Sequence, residues 1–326
     1  MIPPQDLFTI SSHKQFEKMA LKVFRYQYEN NLVYQQFCDF LKVEKHSVKS
    51  LAQIPFLPIQ FFKSHEVVSN PDTIQETFTS SGTTGMITSR HLVTDVSLYE
   101  QSYRLAFSEF YGNIEDYVVL ALLPSYLERS GSSLIYMVQD LIALSNNEHS
   151  GFYLHNYDEL IAKLTALDNA GQNVLLIGVT YALLDLVEQH NFHLKNTIIM
   201  ETGGMKGKRK EMIREELHSI LCKGFGVSSI HSEYGMTELL SQAYSLGNGV
   251  FECPSWMHIL LRDPEDALAY VADGKTGGVN VIDLANINSC SFIATQDLGK
   301  KQPNNSFEIL GRFDHSDIRG CNLMVI

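Results

Sequence analysis

Residues 79–85, Thr79-Ser80-Ser81-Gly82-Thr83-Thr84-Gly85, place a run of hydroxyl side chains around two glycines. Glycine lets a backbone approach a ligand closely, and serine and threonine donate hydrogen bonds without a fixed charge. Such a loop can therefore surround a phosphate group with donors. The same composition also suits a polar turn between two strands. A second cluster of chemical groups is Tyr234-Gly235-Met236-Thr237-Glu238, and a third is Cys321, which follows Gly320 and stands two residues after Arg319. A neighbouring guanidinium favours the thiolate form of cysteine, and a chain end is often mobile enough to reach more than one site. Other chemistries find no support. Asp273-Gly274-Lys275-Thr276 contains Gly-Lys-Thr, but a Walker loop needs glycine where Ala269 stands. There is no Gly-x-Ser-x-Gly nucleophile elbow, and the twelve histidines show no metal-ligand spacing.

Composition narrows the class further. The chain has 326 residues, 44% of them hydrophobic, enough to bury a substantial core. A formal net charge of −12 argues against a nucleic-acid footprint, which is normally basic. No apolar run approaches the ~20 residues needed to span a bilayer. The start, Met1-Ile2-Pro3-Pro4-Gln5-Asp6, has no signal-peptide pattern. Five cysteines, none in a Cys-x-x-Cys pair, fit free thiols in a reducing cytoplasm, with Cys38, Cys222, Cys253 and Cys290 as small core residues.

Elements that could position these groups follow from periodicity. Ser12-x-x-Gln15 predicts a capping box, with Phe16, Met19, Ala20 and Val23 at helical spacing behind it. A second helix is expected over Asn31–Leu41, and Leu51–Pro58 reads as a connector broken by two prolines. Helices are expected over Val96–Phe110, Ile135–Leu144, Tyr157–Leu167, Leu183–His190 and Lys208–Leu221. Strands are expected at Tyr117–Leu123, Val174–Val179, Thr197–Met200 and Val227–Ile230. This alternation predicts an α/β fold with an open, mostly parallel sheet, whose ligands sit beyond the strand C-termini. Gly203-Gly204 and the Tyr234 stretch both fall at such ends. From Gly247 the texture changes to short strands, at Ala269–Val271, Val279–Leu284 and Phe292–Ala294, which predict a smaller β-rich unit. The expected organisation is a helical layer over 1–70, an α/β core over 71–246, a β-rich subdomain over 247–311 and a tail over 312–326.

Four segments in order carry a resemblance. Ser80-Ser81-Gly82-Thr83-Thr84-Gly85, Tyr234-Gly235-Met236-Thr237-Glu238, Thr295-Gln296-Asp297-Leu298 and Leu310-Gly311-Arg312-Phe313-Asp314 resemble the motifs of the adenylate-forming superfamily. That superfamily includes acyl-CoA synthetases, firefly-type luciferases and peptide-synthetase adenylation domains. The chain is most similar to its LuxE-type acyl-protein synthetases, with phenylacetate-CoA-ligase-like enzymes next. The resemblance implies ATP and Mg²⁺ as cofactors and a fatty or other carboxylic acid as substrate. It places Ser81, Thr83 and Thr84 on the β- and γ-phosphates, Gly203 and Gly204 against adenine and Tyr234 stacked on the base, with Ser80, Gly82, Gly85, Glu233, Gly235 and Met236 also counted as nucleotide-binding. Thr237 goes to the α-phosphate, Glu238 to Mg²⁺, and Asp297 and Arg312 to the ribose. It also makes Cys321 the acylated residue, delivering to an acyl-reductase partner. Larger relatives continue into a C-terminal domain of about 100 residues, which supplies a lysine that neither Lys300 nor Lys301 matches. An acyl- or aryl-CoA ligase, and a non-catalytic nucleotide- or acyl-binding module, are the alternatives. Leu122, Pro124, Tyr126 and Ile135 are expected to line an acyl pocket.

Overall fold

The computed structural model describes residues 2–80, 88–124, 130–205, 208–209 and 212–313. The chain opens on helix His13–Asn30. Ser12 caps it by accepting from the Gln15 N–H, and Gln15 Oε1 accepts from the N–H and hydroxyl of Ser11. The expected capping box therefore forms with its return bond one residue earlier. Phe16, Ala20, Val23 and Phe24 of this helix are buried. Asn31 ends it and caps the next helix, Leu32–Phe40, through the Tyr34 N–H.

Strands then follow in chain order: β1 (Leu57–Pro58), β2 (Glu76–Thr79), β3 (Arg90–Val93), β4 (Val118–Leu122), β5 (Gly151–Tyr153), β6 (Val174–Val179) and β7 (Thr197–Thr202). Beyond them come β8 (His231–Tyr234), β9 (Ala243–Ser245), β10 (Val250–Phe251), β11 (Met257–Arg262), β12 (Thr276–Asp283), β13 (Phe292–Lys301) and β14 (Phe307–Arg312). Among the described residues they form three sheets. The first has the order β5-β4-β6-β7-β8-β9 and is parallel up to the antiparallel β8–β9 pair. Every residue of β4 and β6 is buried, as expected of strands covered on both faces, and this is why they read as unbroken apolar runs. The second sheet has the order β10-β14-β13-β12-β11, and β1 adds to it parallel to β13. The third is the antiparallel β2–β3 hairpin.

Several boundaries differ from the sequence expectation, each for a tertiary reason. The strand expected at Val227–Ile230 lies at His231–Tyr234, because its partners are Met200 and Glu201 at the end of β7. The helix expected from Lys208 begins at Arg214, while Arg209 ion-pairs with Asp185 and Glu188 of helix Thr180–Gln189. β13 continues seven residues past Ala294, since β12 and β14 both supply partners there. Residues 269–271 make only an isolated bridge, Tyr270 to Arg262. Cys38 and Cys290 are buried, whereas Cys222 and Cys253 are half-buried rather than core.

Candidate active site

The β2–β3 hairpin brackets residues 81–87 in sequence, and its neck is closed by two serines. Ser80 N–H donates to the Ser89 carbonyl at 3.1 Å, and Ser89 N–H donates to Ser80 Oγ at 2.9 Å. Ser81, Gly82, Thr83, Thr84 and Gly85 lie outside the described residues, as do Tyr126, Asp314 and Cys321. Of the expected acyl-pocket residues, Leu122 and Pro124 are buried at the end of β4 and Ile135 is half-buried on the following helix.

Three of the remaining segments meet. Tyr234 closes β8 and is buried, with its ring edge-on to Phe251 and Phe307 at centroid distances of 5.9 and 5.7 Å. Its hydroxyl donates to Asp297 Oδ2 at 2.8 Å, and Arg312 Nε donates to Asp297 Oδ1 at 3.1 Å. Asp297 on β13 is directly opposite Arg312 on β14, so the sheet register builds this pair. Burial and the Asp297 carboxylate both hold the Tyr234 phenol far above its usual pKa. The Asp297 side chain is 8% exposed and that of Arg312 is 78% exposed. An ion pair this open adds little stability and leaves the guanidinium able to take another partner.

Gly203 and Gly204 follow β7, the strand paired with β8, with φ of 72° and 65°. Two consecutive left-handed residues suit glycine, and both are exposed. Thr202 just before them donates its hydroxyl to Glu233 Oε2 at 2.5 Å. A Cβ on Gly235 would lie 2.3 Å from Glu233 Oε1, so the missing side chain leaves room for this carboxyl. Burial pushes Glu233 up to about 7; the Thr202 hydrogen bond opposes the shift and the nearby Glu201 charge adds to it. Because the folded pKa exceeds the unfolded one, this group's contribution is complete below pH ~4.5 and is lost as pH rises through 7. Glu233→Gln keeps an acceptor for Thr202 and removes the ionisation. Between pH 5 and 8 the wild type is expected to lose about 2–3 kcal/mol relative to this variant in urea unfolding. Parallel pH profiles for the two proteins would contradict it.

Glu238 is 5% exposed, and its carboxyl pKa is raised by burial, with the Ser89 hydroxyl and the charges of Arg312 and Lys63 opposing. A hard oxygen donor that burial disfavours as an anion, beside a hydroxyl-rich loop end, fits a divalent cation such as Mg²⁺, whose charge would restore the carboxylate. The surrounding backbone is held at each step. Thr237 O accepts from His91 Nδ1 at 2.8 Å, and Glu238 O accepts from Asn286 Nδ2 at 2.8 Å. The N–H groups of Leu240 and Ser241 donate to Asp283 Oδ2 at 2.7 and 3.0 Å. Met236 packs half-buried against the core. Sequence reasoning missed Ser89, His91, Asp283 and Asn286. They carry no local motif, and each is brought to the site by tertiary contacts alone.

This arrangement of sheets is the fold of the adenylate-forming ligases. The open-conformation crystal structure of 2-hydroxyisobutyryl-CoA ligase in complex with 2-HIB-AMP and CoA superposes with a TM-score of 0.68 at 13% identity, covering 93% of this chain and 70% of that one. ATP-bound MatB from Rhodopseudomonas palustris gives 0.54 at 17% identity, covering 74% of this chain and 49% of that one. Within that fold, the profile of the family "Acyl-protein synthetase, LuxE" matches residues 4–112 and 133–326, and the chain belongs to this family and is a ligase. The long-chain-fatty-acid–luciferin-component ligase of Vibrio harveyi is 23% identical, covering 97% of this chain and 89% of the relative. A protein of the same description from Photorhabdus luminescens is 34% identical over 71 residues, which are 22% of this chain and 60% of that protein. No described helix is long and apolar enough to cross a membrane.

Proposed function

We propose that this enzyme activates a long-chain fatty acid with ATP and passes the acyl group to a protein thiol, that of its own Cys321, for delivery to an acyl-reductase partner. The observation that carries the reading is the convergence of the 234–238 segment with Asp297 and Arg312 on one side and with the β2–β3 hairpin on the other, through the Tyr234–Asp297–Arg312 chain and the His91–Thr237 bond, between segments far apart in sequence. The family's description supports a protein acceptor, and the description of the Vibrio harveyi relative supports a long-chain fatty acid.

In the first step a carboxylate oxygen of the acid attacks the α-phosphorus of ATP, forming the acyl-adenylate and releasing pyrophosphate. Ser81, Thr83 and Thr84 are assigned to the β- and γ-phosphates and Thr237 to the α-phosphate. Tyr234 is assigned to adenine beside Gly203 and Gly204, and Asp297 and Arg312 to the ribose. Mg²⁺, held by Glu238, would supply positive charge that offsets the phosphate oxygens. These residues position and neutralise rather than form bonds, and such positioning accounts for much of a barrier reduction. In the second step the Cys321 thiolate attacks the acyl carbon, a thioester forms and AMP leaves. Burial pushes the thiols of Cys222, Cys253 and Cys290 up from their usual range and that of Cys38 to about 12. Burial disfavours the thiolate at all four, which supports an acceptor elsewhere.

The test is the intact mass of wild type and Cys321→Ser after incubation with MgATP and a panel of fatty and aromatic acids. Wild type is expected to gain one acyl mass that requires both ATP and the acid, and the variant to gain none. Acylation of the variant would remove Cys321 from the reaction. Consumption of CoA, with no protein adduct, would replace the protein acceptor by CoA.

A further inference from the structure

His91 on β3 is fully buried, and both ring nitrogens face oxygens. Nδ1–H donates to the Thr237 carbonyl at 2.8 Å, and Nε2 lies 3.0 Å from Asn286 Oδ1. The amide nitrogen of Asn286 donates to the carbonyls of Glu238 at 2.8 Å and Cys290 at 3.0 Å. Two consecutive carbonyls, those of Thr237 and Glu238, are thus held by the two members of one side-chain pair. The pair stands on a fixed base. Gln27 Nε2 donates to the carbonyls of Asn286 and Ile287 at 3.0 and 2.9 Å, and Asn31 Nδ2 donates to Ser289 O at 2.9 Å. The Phe62 ring packs perpendicular to the imidazole, at 5.7 Å between centroids.

A buried histidine and asparagine cost desolvation that an apolar pair of the same volume would not, so what they contribute is one defined arrangement of the chain. Here the His91–Thr237 bond spans 146 residues and ties β3 to the backbone that carries Glu238.

We propose that His91 and Asn286 are positioning residues for the acid-activating reaction. They fix Thr237 and Glu238 against β3, His91 through the Thr237 carbonyl and Asn286 through the Glu238 carbonyl. The assignment rests on the function proposed above. Neither residue touches substrate; each acts through the main chain of the pair that would meet the α-phosphate and the cation. Loss of the tether leaves Tyr234, Asp297 and Arg312 in place, so it separates cation engagement from nucleotide recognition.

The variants that test this are His91→Phe, which keeps the ring volume and removes both nitrogens, and His91→Asn, which keeps a donor for Thr237. ATP binding is measured by calorimetry with Mg²⁺ and with EDTA, and acid-dependent ATP–pyrophosphate exchange is titrated with Mg²⁺. For His91→Phe, binding in EDTA is expected within about twofold of wild type, with the half-saturating Mg²⁺ concentration raised about tenfold. Turnover is expected to fall about 30-fold with the KM for ATP changed less than about threefold, and His91→Asn to recover much of the loss. A folded variant with lower thermal stability but wild-type Mg²⁺ dependence and turnover per folded molecule would overturn the proposal. If His91→Phe does not fold, Asn286→Ser releases the Glu238 carbonyl and is read by the same two measurements. A wild type that binds MgATP without exchange would sink the proposed function, while the calorimetric comparison would still report on the tether.

Discussion

Glu238→Gln is expected to lower acid-dependent ATP–pyrophosphate exchange by about 10²–10³-fold while leaving the protein as stable as wild type, or slightly more so. The two halves of this expectation share one cause. Glu238 is almost entirely buried, and burial raises its pKa, so its ionised form costs the empty fold free energy. Glutamine matches its shape and removes that cost. It also removes the charge that a cation and a triphosphate would need. A residue retained at the expense of stability is the pattern expected of a functional group rather than a packing one. The check is a thermal melt beside the exchange assay. If the melting temperature drops by several degrees and the remaining activity simply follows the folded fraction, Glu238 is structural and the cation must be sought elsewhere.

The four ordered motifs were legible because each is local: the chemistry of Tyr234 to Glu238, or of Thr295 to Leu298, is written within a few residues. Val118–Leu122 and Val174–Val179 were legible for a similar reason, since a strand buried on both faces leaves an unbroken apolar run. What escaped was decided by partners distant in sequence. The apolar residues Val227 and Ile230 suggested a strand, but pairing with Met200 and Glu201 moved it onto His231–Tyr234, placing Glu233 and Tyr234 in the sheet itself. Asp297 was placed by motif order alone, yet its opposition to Arg312 is a property of the β13–β14 register. The supports of Glu238 were invisible altogether. His91 reads as one polar residue ahead of Leu92 and Val93, and nothing near it announces that its ring ends on Thr237 and Asn286.

Asp283→Ala is expected to destabilise the fold by about 4 kcal/mol, a large value for one substitution. Asp283 ends β12 with no solvent exposure, and its carboxylate is spent entirely on nearby donors. It accepts from the N–H groups of Leu240 and Ser241, from Ser241 Oγ at 2.5 Å and from the Ala285 N–H at 3.1 Å. Alanine strands the three N–H groups in the interior, each at a cost of about 1–3 kcal/mol before relaxation. The Ser241 hydroxyl suffers less, because Ser102 Oγ and Trp256 Nε1 remain within 3.0 and 3.1 Å. Asn is the informative comparison: it keeps one oxygen for these donors but turns an NH₂ toward the others, so it should recover only part of the loss. A melting temperature lower by about 6 °C for Ala, with Asn between it and wild type, is the expected order. The consequence reaches the site, since Leu240 and Ser241 follow Glu238 by two and three residues. Destabilisation here and stability in Glu238→Gln would together separate the cradle from the group it holds. If Asp283→Ala melted like wild type, the 237–241 segment would have to be held by other contacts, and the tether through His91 and Asn286 would then carry that task alone.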